Sequence, residues 1–132
     1  MNNFTNALGL DVGGARIGVA RINSNAQIAE PLIVLKNNDE FVVELKKLLV
    51  EYGADLIVVG LPRNMKGEKT QQTEIVEAFV DGFVEPLGVR VMYQDETLST
   101  VAAEARMPKK DAHLQDAYAA CVILEDFMQA NG

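Results

Sequence analysis

Apolar residues change their spacing several times along this chain, and each change marks an element. Residues 7–12 (Ala-Leu-Gly-Leu-Asp-Val) are nearly all apolar, as a strand buried on both faces requires, and Gly13-Gly14 closes it as a tight turn. Residues 15–22 alternate enough to pair back as an antiparallel hairpin. After Asn23-Ser24-Asn25 a third strand is expected near 28–35, held at a sheet edge by Pro31, which has no N–H to donate. Over 39–52 the period lengthens. Phe41, Leu45, Leu48 and Leu49 share one helical face, Glu44, Lys47 and Glu51 lie opposite, and Gly53 ends the helix.

Residues 55–60 (Asp-Leu-Ile-Val-Val-Gly) read as a strand covered on both faces. The loop from Leu61 to Lys69 leads to Thr70, a cap for a helix over 71–83 that turns Ile75, Val76, Phe79 and Val80 inward. Residues 88–94 give the fifth strand, and helices are expected near 98–106 and 113–130. This order predicts an α/β fold. Three antiparallel strands are followed by two parallel ones, reached through right-handed helical crossovers, in a mixed five-stranded sheet flanked by helices. A length of 132 residues suits a single domain over 1–132, with no internal repeat or linker.

Composition adds a location. With 48% apolar and 23% charged residues, the chain has enough apolar surface to fold and too little charge for extended disorder. No apolar stretch approaches the ~20 residues that span a bilayer. The first residues lack a basic segment followed by an apolar one, so no signal peptide is expected. The lone Cys121 cannot form an internal disulfide, and the cytoplasm is the expected compartment. A formal charge of −7 works against a nucleic-acid partner on average. Its distribution changes that picture. Arg16, Arg63, Lys66, Lys69, Arg106, Lys109 and Lys110 fall in or beside predicted turns, while Glu40, Glu44, Glu51, Glu74, Glu77, Asp81 and Glu85 fall in predicted helices. An acidic back and a basic working edge would follow.

Sites in open α/β sheets gather at the carboxyl ends of the strands. Asp11 ends the first strand, Asp95 and Glu96 end the fifth, and Asp116 opens the last helix. Carboxylates converging from different elements repel one another unless a cation neutralises them, and oxygen ligands suit Mg²⁺ or Mn²⁺. Two such ions about 4 Å apart would activate a water and stabilise the leaving oxygen of a phosphodiester. Taken singly, Asp11 beside two glycines is a turn residue and Asp116 a favourable charge at a helix start. The helix after Asp116 is apolar almost all round, so a carboxylate on it needs a partner. Strand alternation sends Asp95 and Glu96 to opposite faces and leaves the choice between them open. His113 reads as a surface residue and Cys121 as core. The Asp11–Gly14 turn lacks the lysine and spacing of a P-loop or a dinucleotide fingerprint.

Four segments in order resemble one family. Asp11-Val12-Gly13-Gly14-Ala15-Arg16-Ile17-Gly18-Val19-Ala20 is similar to its D-x-G-x-x-R-I-G-V-A opening, and Val59–Gly67 to its G-L-P-x-N-M-x-G loop. Asp95-Glu96-Thr97-Leu98-Ser99-Thr100 is similar to D-E-R-L-S-T, and Asp116-Ala117-Tyr118-Ala119-Ala120 with Ile123-Leu124 to its D-x-x-A-A…I-L helix. The chain thereby resembles, over nearly its whole length, the YqgF or RuvX group of Holliday-junction resolvases and pre-16S rRNA nucleases, with an RNase H-like fold. The resemblance implies an Mg²⁺- or Mn²⁺-dependent nuclease of bacterial ribosomal RNA maturation. Asp11, Glu96 and Asp116 would be its metal-binding catalytic acids. Arg16, Arg63, Asn64, Lys66, Lys69, Lys109 and Lys110 would lie along the nucleic acid, with ribosomal particles as further partners, no membrane, and a monomer or weak homodimer. Two departures stand out. Thr97 replaces an arginine and so removes a bidentate phosphate fork, and the connection from Arg106 to Asp111 is short. Resolution of branched DNA, a non-catalytic nucleic-acid or ribosome-binding module, and an actin-like kinase are the competing readings. The last needs two lobes, and this chain has length for one.

Overall fold

The computed structural model describes residues 3–96, 105 and 107–131. Strands β1 (Asn6–Val12), β2 (Arg16–Asn23), β3 (Glu30–Lys36), β4 (Leu56–Pro62) and β5 (Arg90–Glu96) form one sheet in the order β3-β2-β1-β4-β5. β2 runs antiparallel to β1 and β3, whereas β4 runs parallel to β1 and β5. This is the expected mixed sheet, with Pro31 in an edge strand beside a register shift at Val19 and Ala20. The helix expected near 98–106 lies outside the described residues except for Ala105, as do Thr97 and Arg106.

Alternation along the strands sorts the core into two layers. Leu8, Leu10 and Val12 of β1, with Ile57, Val59 and Leu61 of β4, face Phe41, Leu45 and Leu49 of α1 (Phe41–Glu51) and Val76 of α2 (Gln71–Phe79). On the other side Ala7, Ala20, Ile22, Leu56 and Val58 meet Ala120, Cys121, Ile123, Leu124 and Phe127 of α3 (Gln115–Asn131). Full burial of each large apolar side chain here contributes about 1.5–3 kcal/mol. No helix among the described residues is long and apolar enough to cross a membrane.

The first helix matches its expected span closely, whereas the second differs in rotation and length and the last starts two residues late. Thr70 accepts a hydrogen bond from the Thr73 amide, and the Thr73 hydroxyl in turn donates to the Pro62 carbonyl. That anchor fixes the buried line of α2 as Thr73, Val76 and Val80. Ile75 falls to its flank and is 51% exposed, against the expectation that it points inward. The predicted helix over 71–83 also breaks. Beyond Phe79 the chain makes a π turn (Val80–Val84) and a 3-10 turn (Glu85–Leu87) that Gly88 ends at φ +78°. The final helix begins at Gln115, after a 3-10 segment Lys109–Leu114.

The tight β1–β2 turn forms at Gly13-Gly14 as expected. Neither Gly13 nor Gly14 has positive φ, so the turn does not depend on left-handed backbone. Gly13 matters for space instead: a Cβ there would lie 2.8 Å from the Arg16 carbonyl oxygen, to which the Gly13 amide donates at 2.9 Å.

Candidate active site

Asp11 is the penultimate residue of β1 and stands opposite Gly18 of β2. Its neighbours Leu10 and Val12 belong to the layer under α1 and α2, so Asp11 points to the α3 side, in line with Ala7. A side chain on Gly18 would collide with the backbone carbonyl of Asp116. The bare glycine therefore lets the first turn of α3 sit directly on β2, which brings Asp116 beside Asp11.

The same alternation sends the two acids at the end of β5 to different faces. Met92 packs in the α3-side layer, and Glu96, four residues on, shares its face with Asp11. Asp95 projects to the opposite face, where its Oδ1 accepts from Arg63 Nε at 2.8 Å. The structure thus brings Asp11, Glu96 and Asp116 to one side of one sheet edge and leaves Asp95 out.

Electrostatics mark Asp11 and Glu96 as costly to ionise. Burial, and then the Asp116 charge, push the Asp11 carboxyl up to about 6. Burial, hydrogen bonding to Asp126 and the charges of Asp126, Asp11 and Asp95 push Glu96 up to about 9. One oxygen of Glu96, Oε1, is buried with no hydrogen-bond partner. A buried carboxylate oxygen without a donor costs energy that a bound cation would return. Asp116 has a partner: its Oδ2 accepts from Arg16 Nε at 2.8 Å. As the side chains stand, no three acidic, histidine or cysteine side chains among the described residues are grouped to enclose an ion. Asp11 instead lies electrically between Asp116 and Glu96. An all-oxygen donor set with one orphaned atom fits a hard divalent cation such as Mg²⁺ or Mn²⁺.

The basic residues divide into two groups. Arg16, Arg63 and Lys69 are each paired with a carboxylate, of Asp116, Asp95 and Glu77 respectively. Lys66, Lys109 and Lys110 are exposed. Asn64 shapes its own loop, since its Oδ1 accepts from the amides of Lys66 at 3.0 Å and Glu68 at 2.9 Å. The loop is further closed by a bridge between Arg63 and Lys69 and by Gly67 at φ +77°. A cavity of about 250 Å³ lies between Arg16, Ala112, His113, Gln115 and Asp116.

Two residues escaped the sequence reading. Asp126 adjoins Glu96, and the signal was the one used for Asp116, an acid within a largely apolar helix. Asn37 pins the hairpin tip beyond Asp11: its Nδ2 donates to Gly13 O at 2.8 Å and its amide to Ala15 O at 3.0 Å. A lone Asn after a strand carries no such signal in sequence.

Comparison with known proteins agrees with the geometry. The model of the RuvX family, described as Holliday junction resolvase, matches residues 5–130. A Chloroflexus aurantiacus protein named "Putative pre-16S rRNA nuclease" is 37% identical, over 93% of this chain and 86% of its own length. A Synechocystis protein of the same name is also 37% identical, over 97% of this chain and 90% of its own length. Among solved structures, the fowlpox virus Holliday junction resolvase superposes with a TM-score of 0.59 at 12% identity, covering 96% of this chain and 99% of that one. Thermus thermophilus RuvC gives a TM-score of 0.56 at 14% identity, covering 96% of each chain. Likeness at that identity concerns the fold, which is the RNase H-like α/β fold expected from the motifs.

Proposed function

This chain belongs to the RuvX family, and from that premise we propose that it is a divalent-metal-dependent nuclease cutting phosphodiester bonds of structured nucleic acid, with precursor 16S rRNA as its substrate. The observation that carries this reading is the set of Asp11, Glu96 and Asp116 on one side of the sheet edge, with Glu96 Oε1 buried and unpartnered. Asp11 is the central metal ligand, with Glu96 and Asp116 flanking it. Mg²⁺ or Mn²⁺ bound there supplies an activated water and charge stabilisation for the leaving oxygen.

The chain's own residues hold and orient the substrate. Arg16 fixes Asp116 through its Nε and leaves the rest of a largely exposed guanidinium free to meet a phosphate. The braced 63–69 loop presents Lys66 at the carboxyl end of β4, and Lys109 and Lys110 lie just before α3. Together these cations draw in the backbone despite the negative total charge. The names of the relatives favour RNA, and action on ribosomal precursor particles in the cytoplasm goes with that substrate. The family description favours branched DNA as the second reading.

One assay separates them. Purified protein with Mn²⁺ is offered a precursor 16S rRNA fragment and a four-way DNA junction. The RNA is cut, the junction is not, and Asp11→Asn cuts neither. Equal RNA cleavage by Asp11→Asn would sink the assignment of the site. Cleavage of the junction alone would replace the substrate.

A further inference from the structure

We infer that Lys36, which none of the family motifs touches, joins Arg16 in gripping a phosphate of the substrate, so that the nucleic-acid backbone leaves the acids across the β2–β3 end of the sheet. This rests on the nuclease reading and adds to it a contact residue and a direction.

Register sets the two cations side by side. Arg16, the first residue of β2, stands opposite Lys36, the last residue of β3. The Asn37 amide donates to the Ala15 carbonyl at 3.0 Å, which makes Ala15 and Asn37 a hydrogen-bonded pair. Arg16 and Lys36, the next pair along, are therefore of the non-hydrogen-bonded kind, whose side chains stand closest, with Cα atoms about 4.5 Å apart. Arg16 shares its face with Gly18, Ala20 and Ile22, so both side chains set out on the α3 side, the side of Asp11 and Asp116. The Asn37 side chain also donates to the Gly13 carbonyl at 2.8 Å, and the Gly13 amide donates to the Arg16 carbonyl at 2.9 Å. The pair thus rides on a pinned hairpin tip.

Like charges directly opposite each other on a sheet destabilise it unless something neutralises them. Asp116 answers one of the two, through Arg16 Nε. Lys36 is exposed and has no carboxylate within ion-pair distance among the described residues. Glu40 and Glu44 line a cavity of about 190 Å³ with it but do not pair with it, and Glu44 accepts from Lys47 at 3.4 Å. An anion laid between Lys36 and the remaining N–H groups of Arg16 supplies the missing charge. The surroundings suit a backbone phosphate. The 3-10 segment Lys109–Leu114 packs against β3 and carries the exposed Lys109 and Lys110. The cavity of about 250 Å³ beside Asp116 opens between that segment and Arg16. β3 lies two strands from β1, about 10 Å away, so a chain cut beside Asp11 reaches Lys36 within about three nucleotides at the ~3.4 Å rise of a duplex strand.

The test measures binding apart from cutting, by fluorescence anisotropy of a labelled precursor 16S rRNA fragment in EDTA over a series of salt concentrations. Lys36→Gln should weaken binding about threefold to tenfold and lower the slope of log K against log salt by about one. Its urea midpoint should stay level or rise, because the substitution relieves the repulsion from Arg16. Lys36→Arg should restore the affinity, and Lys47→Gln on α1 should change nothing. In free energy, the loss in the Arg16→Gln, Lys36→Gln double variant should fall short of the sum of the single losses, as for two residues on one phosphate. An unchanged salt slope in Lys36→Gln, an equal loss in Lys47→Gln, or no binding by the intact protein would overturn the inference. So would a loss in Lys36→Gln accompanied by a lowered urea midpoint, which makes Lys36 a structural residue. Failure of the nuclease reading looks different: RNA left uncut in Mn²⁺ by a protein that shows the Lys36 effect on binding would remove that reading and keep the phosphate contact.

Discussion

On the side of the sheet covered by α1 and α2, β1 contributes Leu8, Leu10 and Val12, and β4 contributes Ile57, Val59 and Leu61. On the side covered by α3, the alternate positions of β1 are Ala7, Gly9 and Asp11, and β4 offers Leu56, Val58 and Gly60. The first layer packs large side chains against large side chains and buries no acid of the proposed site. The second is thinned with glycine and alanine so that a helix backbone can come close, and it holds two carboxylates whose protons leave late, near 6 for Asp11 and near 9 for Glu96. One layer supplies stability and the other spends it on placing charge where charge is costly. A fold that is only marginally stable can carry such a site because the opposite layer is ordinary.

Substitutions can break this contrast in order of size. Gly18→Val should have the largest effect, because the obstacle to its side chain is the Asp116 backbone and not a flexible tip. A loss of about 3 kcal/mol, measured by urea unfolding, is expected, with the start of α3 displaced and cleavage lost. Asp11→Asn should do the opposite to stability: at pH 7 it removes a charge held in a poor environment, adding about 2–3 kcal/mol while abolishing cleavage. A fall in stability would mean that Asp11 is a structural acid.

The same contrast has a pH signature. Both carboxyls keep their protons longer in the folded state than in the unfolded one, where carboxyls titrate near 4. The folded chain therefore binds more protons across that interval, and the stability due to these groups falls as pH rises from about 4 to about 9. Asp11→Asn should flatten the part between 4 and 6, and Glu96→Gln the part that extends toward 9. Substitutions in the other layer should leave the slope alone. The smallest effect is expected from Arg63→Ala. It breaks the Arg63–Asp95 pair on the opposite face at a cost of about 0.5 kcal/mol and should steepen the pH slope only slightly, through the Asp95 charge that Glu96 feels. A large change in the slope would return Asp95 to the site.

Much of this was legible beforehand. Hydrophobic period and turn residues placed all five strands within two residues of their ends, and Pro31 located an edge. What sequence could not give was rotation and side. The Thr73 bond to the Pro62 carbonyl turns α2 about its axis, so Ile75 goes outward although its spacing fits either flank. Alternation separated Asp95 from Glu96 but could not say which face α3 would take. Once α3 is seen against Ala7 and Gly18, parity puts Glu96 on the α3 side with Asp11. Asp126 and Asn37 act through distant partners, Glu96 and the Gly13 carbonyl, and no local pattern announces such contacts.

The central claim, that Asp11, Glu96 and Asp116 hold a divalent ion, is tested most directly by titrating the protein with Mn²⁺ in a calorimeter at pH 7, in two buffers of different ionisation enthalpy. The account predicts saturable binding that expels about one proton, chiefly from Glu96, and that disappears in Asp11→Asn. Binding that persists unchanged in Asp11→Asn, or no binding by the intact protein, would contradict it.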